Sequence, residues 1–245
     1  MAAGGALPEI RGPDNAYHSN SHRLNLLIKR CIDTAGSILG LVLALPILLA
    51  VACTILLTSG RPVIYRAQRI GRWGRPFTMY KFRTMRVGAH DELTQLASLN
   101  LSNGMIKIPE DPRVTNVGIW LRRFSLDELP QLWNVLRGDM SLVGPRPHDV
   151  TDLSPEDEVH TVRLRMRPGL TGLWQISARN DPSLSVRVYY DLVYVSRWSL
   201  GSDLKILART LPAVLGGGGG HVHVPQSPMG GSRPDEVTWP IASPN

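Results

Sequence analysis

The stretch AGSILGLVLALPILLAVACTILLTS, residues 35–59, decides the fold because it contains no charged residue. A helix needs about 20 consecutive apolar residues to cross the hydrocarbon core of a bilayer. The run is long enough for that, and it is too long and too far from the N-terminus for a plain cleavable signal. A membrane helix is therefore predicted, and the alternative is a buried helix of a soluble protein.

Two features bear on the path of this helix through the membrane. Pro46 lies near the middle of the run, where it removes a helix hydrogen bond and favours a bend. Basic residues, which favour the cytoplasmic side, flank both ends, namely Arg23, Lys29, Arg30, Arg61, Arg66 and Arg69. Both flanks are cytoplasmic if the helix bends at Pro46 and returns to the same face. A kinked helix that spans the bilayer is the alternative, and the residues alone leave both open.

The charge of the chain indicates which classes of binding partner are favoured. The chain has 245 residues, 27 Lys and Arg against 20 acids, a net charge of +7 and 43% hydrophobic residues. This excess of positive charge favours nucleic acid, anionic lipid or phosphorylated substrates. The two cysteines, Cys31 and Cys53, lie in or beside the apolar run and suggest no disulfide framework.

The chain divides into four segments. Residues 1–22 are predicted to be a flexible lead, 23–60 the membrane helix, 61–215 a catalytic domain and 216–245 a disordered Gly/Pro-rich tail. Within the domain, 183–213 predict two helices broken near Leu200 and Gly201. Their aromatic residues suit either the headgroup region of a bilayer or an ordinary core, and these are Tyr189, Tyr190, Tyr194 and Trp198.

A β-hairpin is predicted over residues 63–85, with its turn at the sequence GRWG, residues 71–74. Because side chains alternate along a strand, Lys81 and Arg83 share one face of the second strand. Two cations on one face can bind phosphate, or they can form a solvated surface, and the pattern does not decide between these.

The pair Asp127 and Glu128 is the most informative cluster. A short helix is predicted over 115–124, followed by a capping box in the sequence SLDE, residues 125–128, and a helix over 129–136 that Gly138 ends. Pro130 complicates that placement because proline prefers the first helical position. Both carboxylates are thus expected at or near a helix N-terminus, where anions are stabilised.

Arginines surround this pair in the sequence, namely Arg122, Arg123, Arg137 and Arg146. Arginine binds phosphate oxygens through two parallel hydrogen bonds. An aspartate kept ionised by such cations can attack phosphorus, and its neighbour can hold Mg²⁺. The alternative is that Asp127 and Glu128 only cap a helix.

Five ordered motifs between residues 23 and 215 resemble the bacterial sugar transferase family, the monotopic phosphoglycosyl transferases. They are YKFRTM (80–85), DPRVT (111–115), SLDELPQLWNVLRGDMSLVGPRP (125–147), RPGLTGLWQ (167–175) and WSLGSDLKIL (198–207). The resemblance implies a monotopic membrane protein, with a mixed, helix-rich α/β domain behind a re-entrant helix broken at Pro46. That domain is expected on the cytoplasmic face of the bacterial inner membrane.

The resemblance also assigns roles. It implies Asp127 as nucleophile and Glu128 as its partner. We take both carboxylates as candidate ligands for Mg²⁺. Glu128 either binds the metal or transfers protons, and the sequence does not decide between these. It places phosphate or nucleotide binding at Arg122 and at the sequence Pro145, Arg146 and Pro147, and we add Lys81 and Arg83 to the expected substrate-binding residues.

The expected reaction is transfer of a hexose-1-phosphate from a UDP-sugar to undecaprenyl phosphate, with UMP released. UDP-galactose or UDP-glucose is favoured, because the closing motif and the sequence WQISARND, residues 174–181, are similar to members that handle these sugars. The other expected partner is the lipid bilayer, and a homodimer is left open. Three alternatives remain: a membrane-anchored phosphohydrolase, a polybasic scaffold without catalysis, and nucleic-acid binding, which is disfavoured because the basic residues accompany carboxylates and an apolar segment.

Overall fold

A computed structural model describes residues 20–89, 91–92, 108, 111–149, 162–179, 181 and 183–215. The predicted tail, and all but the end of the predicted lead, lie outside these residues. Six helices and five strands follow one another through the described chain. In order, they are α1 (Asn20–Ser59), β1 (Ile64–Ile70), β2 (Pro76–Phe82), α2 (Asn116–Arg123), α3 (Gln131–Arg137), β3 (Ser141–Val143), β4 (His148–Asp149), β5 (Gly169–Thr171), α4 (Leu173–Ser177), α5 (Leu184–Ser196) and α6 (Leu200–Leu215). The mixed, helix-rich α/β class is confirmed.

Helix α1 is long and apolar enough to cross a membrane over Arg23–Ser59. The predicted break at Pro46 is wrong as an interruption of the helix, because α1 continues through Pro46 as a single range. Its buried residues form one stripe at helical spacing, made of Lys29, Asp33, Ser37, Ala44, Val51 and Ile55. The opposite side exposes large apolar side chains, and these include Leu27, Leu39, Val42, Leu43, Leu49 and Leu57.

Both ends of α1 contact the same globular body. Near its start, the Lys29 ammonium donates to the Asp203 carboxylate of α6 at 2.6 Å. Near its end, Val51 and Ile55 pack against Phe82 of β2 and Leu121 of α2. The stripe therefore follows the body along most of the helix, while the exposed side remains apolar.

The predicted hairpin is confirmed. Strands β1 and β2 pair antiparallel from Ile64 opposite Phe82 to Ile70 opposite Pro76, and β4 pairs with the other edge of β1. Helix α3 lies at the free edge of β2, where the Asn134 amide donates to the Thr78 carbonyl at 2.7 Å and accepts from the Tyr80 N–H at 3.0 Å. The side chain of Asn134 thereby takes the place of a further strand and fixes α3 beside β2.

A second, parallel pair joins β3 to β5. The two segments approach closely because glycines stand at their ends. A Cβ added to Gly144 would lie 2.3 Å from the Arg167 carbonyl oxygen, and one added to Gly169 would lie 2.1 Å from the Gly144 nitrogen. These contacts hold the sequence Pro145 to Pro147 next to the RPGLTGLWQ motif.

The predicted break between the last two helices is confirmed, with α5 ending at Ser196 and α6 beginning at Leu200. Asp203 explains part of the closing motif, because it accepts hydrogen bonds from the Tyr194 hydroxyl at 2.8 Å and the Trp198 indole at 3.1 Å. Tyr194 is buried, whereas Tyr189 is 42% exposed. The aromatic residues of this region are thus divided between core and surface.

Candidate active site

The two carboxylates lie in a short 3-10 turn, Leu126–Glu128, between α2 and α3. The predicted capping box is wrong. Ser125 has a left-handed conformation, with φ at 55°, and makes no capping hydrogen bond. Its hydroxyl instead accepts from the Arg179 guanidinium at 2.9 Å. Pro130 occupies the position before α3, so the helix begins at Gln131 and the acids precede it by a separate turn.

Helix α2 forms as predicted and leads into this turn. The Thr115 hydroxyl accepts from the Gly118 N–H at 3.0 Å, which satisfies a free donor at the start of α2. The helix ends at Arg123, and the turn follows directly. The Nε of Arg122, one residue earlier, donates to the Thr84 hydroxyl at 2.9 Å, which directs this arginine back towards the end of β2.

Glu128 is held between two cations. One of its oxygens lies 3.5 Å from the Lys81 ammonium and 3.3 Å from the Arg146 guanidinium. Burial alone would raise the pKa of Glu128, but Arg146, Lys81 and Arg179 outweigh burial and lower the pKa to about 2. Glu128 is therefore ionised at any physiological pH.

The pKa of Asp127 is shifted in the opposite direction, upwards. Burial and the negative charge of Glu128 raise the pKa of Asp127 to about 6, against the opposing effects of Lys81, Arg122 and Arg146. The two neighbouring carboxylates thus differ in protonation behaviour, because Glu128 occupies the cation pair and Asp127 does not. A carboxylate that is ionised at neutral pH but not fully neutralised by partners can act as a nucleophile.

Lys81 is the most buried cation of the cluster. Burial lowers its pKa, Glu128 and Asp127 oppose that effect, and Arg146 adds to it. Lysine ammonium groups in such surroundings are held charged mainly by their acidic neighbours. Lys81 is therefore coupled to both carboxylates, which fits its predicted place in the site.

Arg83 does not join this group. Its guanidinium donates to three carbonyl oxygens at the end of α1 and just beyond it, those of Ser59, Gly60 and Arg61, at 2.6, 2.8 and 2.9 Å. It is 8% exposed. The structure thus places Arg83 at the C-terminus of α1, where a cation is favoured by the helix dipole and by unpaired carbonyl groups.

The sequence Pro145, Arg146 and Pro147 borders the dyad through Arg146. Trp174 and Arg187, to which the sequence assigned no role, hold this segment. The ring of Trp174 lies under the Arg146 guanidinium at 5.7 Å and under that of Arg187 at 5.9 Å. Arg187 also donates to the Pro147 carbonyl at 3.0 Å. Trp174 belongs to the RPGLTGLWQ motif, whereas no motif contains Arg187.

The dyad also fits a metal. Mg²⁺ is commonly bound through one or two carboxylates together with substrate phosphates. Asp127 and Glu128 supply two carboxylates, and the raised pKa of Asp127 indicates negative charge that a cation would stabilise. No cluster of three or more His, Cys, Asp or Glu residues occurs within the described part of the chain, so the substrate would have to supply further ligands.

Most of the chain is similar to known proteins. The bacterial sugar transferase family matches residues 24–217, which is most of the chain. Over 193 residues, the chain is 44% identical to the exopolysaccharide production protein ExoY of Rhizobium meliloti, covering 77% of this chain and 85% of that protein.

Longer relatives carry more specific names. The undecaprenyl-phosphate galactose phosphotransferase of Salmonella typhimurium is 42% identical, over 79% of this chain and 41% of that protein. The UDP-glucose:undecaprenyl-phosphate glucose-1-phosphate transferase of Escherichia coli is 39% identical, over 80% of this chain and 42% of that protein. This chain thus spans less than half the length of these two relatives but most of ExoY. With the family match covering well over half of its length, the chain belongs to the bacterial sugar transferase family.

Proposed function

We propose that this sugar transferase moves a hexose-1-phosphate from a UDP-sugar to undecaprenyl phosphate and thereby initiates exopolysaccharide or O-antigen synthesis. The observation that carries the proposal is a pair of adjacent carboxylates, Asp127 and Glu128, with Glu128 3.5 Å from Lys81 and 3.3 Å from Arg146, in a chain whose α1 is long and apolar enough to cross a membrane. The names of the relatives support the same donor and acceptor, and they favour galactose or glucose as the sugar.

In the proposed reaction, an Asp127 oxygen attacks the sugar-bearing phosphorus of the UDP-sugar. The bond from that phosphorus to the bridging oxygen breaks, and UMP leaves with the electron pair. A phosphate oxygen of the lipid then attacks the same phosphorus, and the bond to Asp127 breaks. The products are a polyprenyl diphosphate sugar and the regenerated carboxylate, so no oxidant or external proton is needed.

The remaining residues bind and orient the substrates. Three cations that act on Asp127 can attract the phosphate groups of both substrates, and they are Lys81, Arg122 and Arg146. Glu128 keeps Lys81 and Arg146 in place. Asp127 and Glu128 would hold Mg²⁺, which would neutralise charge on the transferring phosphoryl group.

The membrane arrangement that we propose is a re-entrant α1, with the catalytic domain on the cytoplasmic face of the inner membrane. Its support is the packing of α1, since Lys29 near one end and Ile55 near the other both contact the same body. A helix that crossed the bilayer would carry one of its ends away from a body that lies on one side. The exposed apolar side of α1 would face lipid.

The direct test supplies purified protein with undecaprenyl phosphate, Mg²⁺ and either UDP-galactose or UDP-glucose, labelled in the sugar. We expect UMP release together with label in a lipid product. Release of free sugar phosphate without labelled lipid would indicate the phosphohydrolase instead. Absence of UMP release with every sugar would indicate the scaffold.

A further inference from the structure

An apolar groove of about 330 Å³ lies between α1, the hairpin and α3. Its lining is apolar and aromatic and includes no charged side chain, with contributions from Leu41, Leu48, Leu49, Ile64, Tyr80, Phe82, Pro130 and Trp133. We infer that this groove binds the first isoprene units of the lipid acceptor. The inference rests on the proposed function and adds a binding site for the hydrocarbon part of that substrate.

The groove reaches the segment that follows the catalytic turn, because Pro130 lines it and lies two positions after Glu128. Tyr80 and Phe82 also line the groove. Because side chains alternate along a strand, these two lie on the face of β2 opposite the Lys81 ammonium, which is 3.5 Å from Glu128. An acceptor whose phosphate lies among the cations of the dyad would therefore pass Pro130 before its first carbon atoms enter the groove.

The outer end is formed by α1 on both sides of Pro46. Leu41, Leu48 and Leu49 line the groove, and Leu49 is 59% exposed. Residues 41, 48 and 49 recur at helical spacing, so they share one face of α1. This face continues into the exposed apolar side of the helix, so a hydrocarbon chain can pass from the groove into lipid without crossing water.

The chemistry of the lining selects this occupant. A nucleotide-sugar carries charge and many hydroxyl groups, and burying those against leucine and phenylalanine would leave them without hydrogen-bond partners. An isoprenoid chain has no such groups and gains free energy from burial. The volume lies at the lower end of the range for small-molecule sites. It therefore suits the first few isoprene units, while the rest of the chain remains in the bilayer.

The test uses two groove variants and one control in the complete chain. Trp133→Ala removes a wall, and Leu49→Trp narrows the opening. Trp120→Ala is the matched control, because Trp120 is also an exposed tryptophan, lies on α2 outside the groove, and is 61% exposed against 49% for Trp133. The value of kcat/KM is measured separately for the UDP-sugar and for undecaprenyl phosphate in detergent micelles.

We expect both groove variants to lower kcat/KM for undecaprenyl phosphate by about tenfold, the size of one lost apolar side-chain contact. The value for the UDP-sugar should stay within about twofold of wild type, which also shows that the variants are folded. An unchanged acceptor value in both groove variants, or an equal loss in Trp120→Ala, would overturn the groove assignment. Absence of any UMP release from the wild-type chain would instead overturn the proposed reaction.

Discussion

At the scale of single residues, the environment of each carboxylate decides its role. Glu128 contacts two cations and is ionised, whereas Asp127 is partly buried beside a negative neighbour. We expect Asp127→Asn to reduce UMP release at least about 1000-fold, because an amide cannot serve as the phosphorus nucleophile. Asp91→Asn, an exposed aspartate outside the site, is the control and should retain activity.

The same substitution should make the fold more stable. The pKa of Asp127 is higher in the folded chain than its ordinary value, so the folded state binds the proton more tightly than the unfolded state. The stability from this group is present below pH 4 and is lost as pH rises through about 6. Replacing the charge with a neutral amide should therefore raise the free energy of unfolding at pH 7.5 by roughly 1–2 kcal/mol. An unchanged or lower thermal midpoint would contradict the raised pKa.

The pH dependence of the reaction follows from the same carboxylate. Only deprotonated Asp127 can attack, so kcat/KM for the UDP-sugar should fall below about pH 6 and level off above it. Glu128 should cause no further change in kcat/KM in this pH range, because its pKa is about 2. If the dyad binds Mg²⁺, the midpoint should move to lower pH as the Mg²⁺ concentration rises. If the midpoint of the pH profile does not depend on the Mg²⁺ concentration, the carboxylates do not bind the metal.

Arginines that look alike in the sequence have different tasks. Arg122 faces the dyad, whereas the neighbouring Arg123 lies over the rings of Trp120 and Phe124. We expect Arg122→Lys to lower kcat by roughly 10- to 100-fold, because lysine cannot reproduce two parallel hydrogen bonds to phosphate. Arg123→Lys is the matched control and should remain within about twofold of wild type. Equal activity of both variants would mean that Arg122 does not contact substrate.

At the scale of elements, arginine side chains bind the free carbonyl groups at the C-terminal ends of α1 and α3. Arg83 donates to carbonyls at the end of α1, and Arg30 of α1 donates to the Val135 and Leu136 carbonyls of α3 at 2.7 and 2.8 Å. Each guanidinium therefore joins two elements that are distant in sequence. Lys29 and Arg30 belong to the basic residues before the apolar run, which were expected to mark the cytoplasmic side. In the structure, both also contact the globular body, since Lys29 is buried against α6.

This role of Arg83 can be separated from substrate binding. We expect Arg83→Ala to lower the free energy of unfolding by about 2 kcal/mol, because the carbonyls at the end of α1 lose their donor. Its KM for the UDP-sugar should stay near that of wild type. Arg86→Ala is the control, because the Arg86 side chain forms an exposed ion pair with Glu92, and its loss should cost less than about 1 kcal/mol. A large rise in KM with normal stability would return Arg83 to the substrate site.

Local sequence patterns predicted the elements that depend on neighbours in the chain. The alternation in β2, the short helix α2 and the end of α3 at Gly138 all follow from short-range rules. The same rules failed at Ser125, because its conformation depends on Arg179, which lies 54 positions away. The contacts of Trp174 were not predicted for the same reason, since Arg146 and Arg187 come from two other segments of the chain.

At the scale of the whole molecule, one apolar surface and one charged site must meet at the membrane boundary. The acceptor has a phosphate and a hydrocarbon chain, so its reaction needs cations and apolar side chains next to one another. The stripe of α1 that faces the body places the helix beside β2 and the catalytic turn, and its other side is exposed and apolar. In the proposed re-entrant arrangement, α1 would therefore set both the depth of the protein in the bilayer and the position of the dyad.

The path of α1 can be tested with single cysteines on its two flanks. Asn25 and Arg66 are exposed residues outside the apolar run, and each is changed to cysteine in a chain whose Cys31 and Cys53 are replaced by serine. A maleimide that cannot cross membranes is applied to intact cells. We expect no labelling at either position and full labelling of both after the cells are permeabilised, because both flanks contact one body, which we propose lies in the cytoplasm.

Pro46 supplies the matched change for this experiment. Proline lacks the N–H that would donate within the helix, so it favours the bend that a returning helix needs. Pro46→Leu restores that donor and an unbroken apolar run, and a fraction of the molecules should then span the bilayer and become labelled at residue 25 from outside. The contacts of Lys29 with Asp203 oppose this change, because crossing would separate them, so Lys29→Ala together with Pro46→Leu should increase the labelled fraction. Labelling at residue 25 in the chain that retains Pro46 would instead show that α1 crosses the membrane.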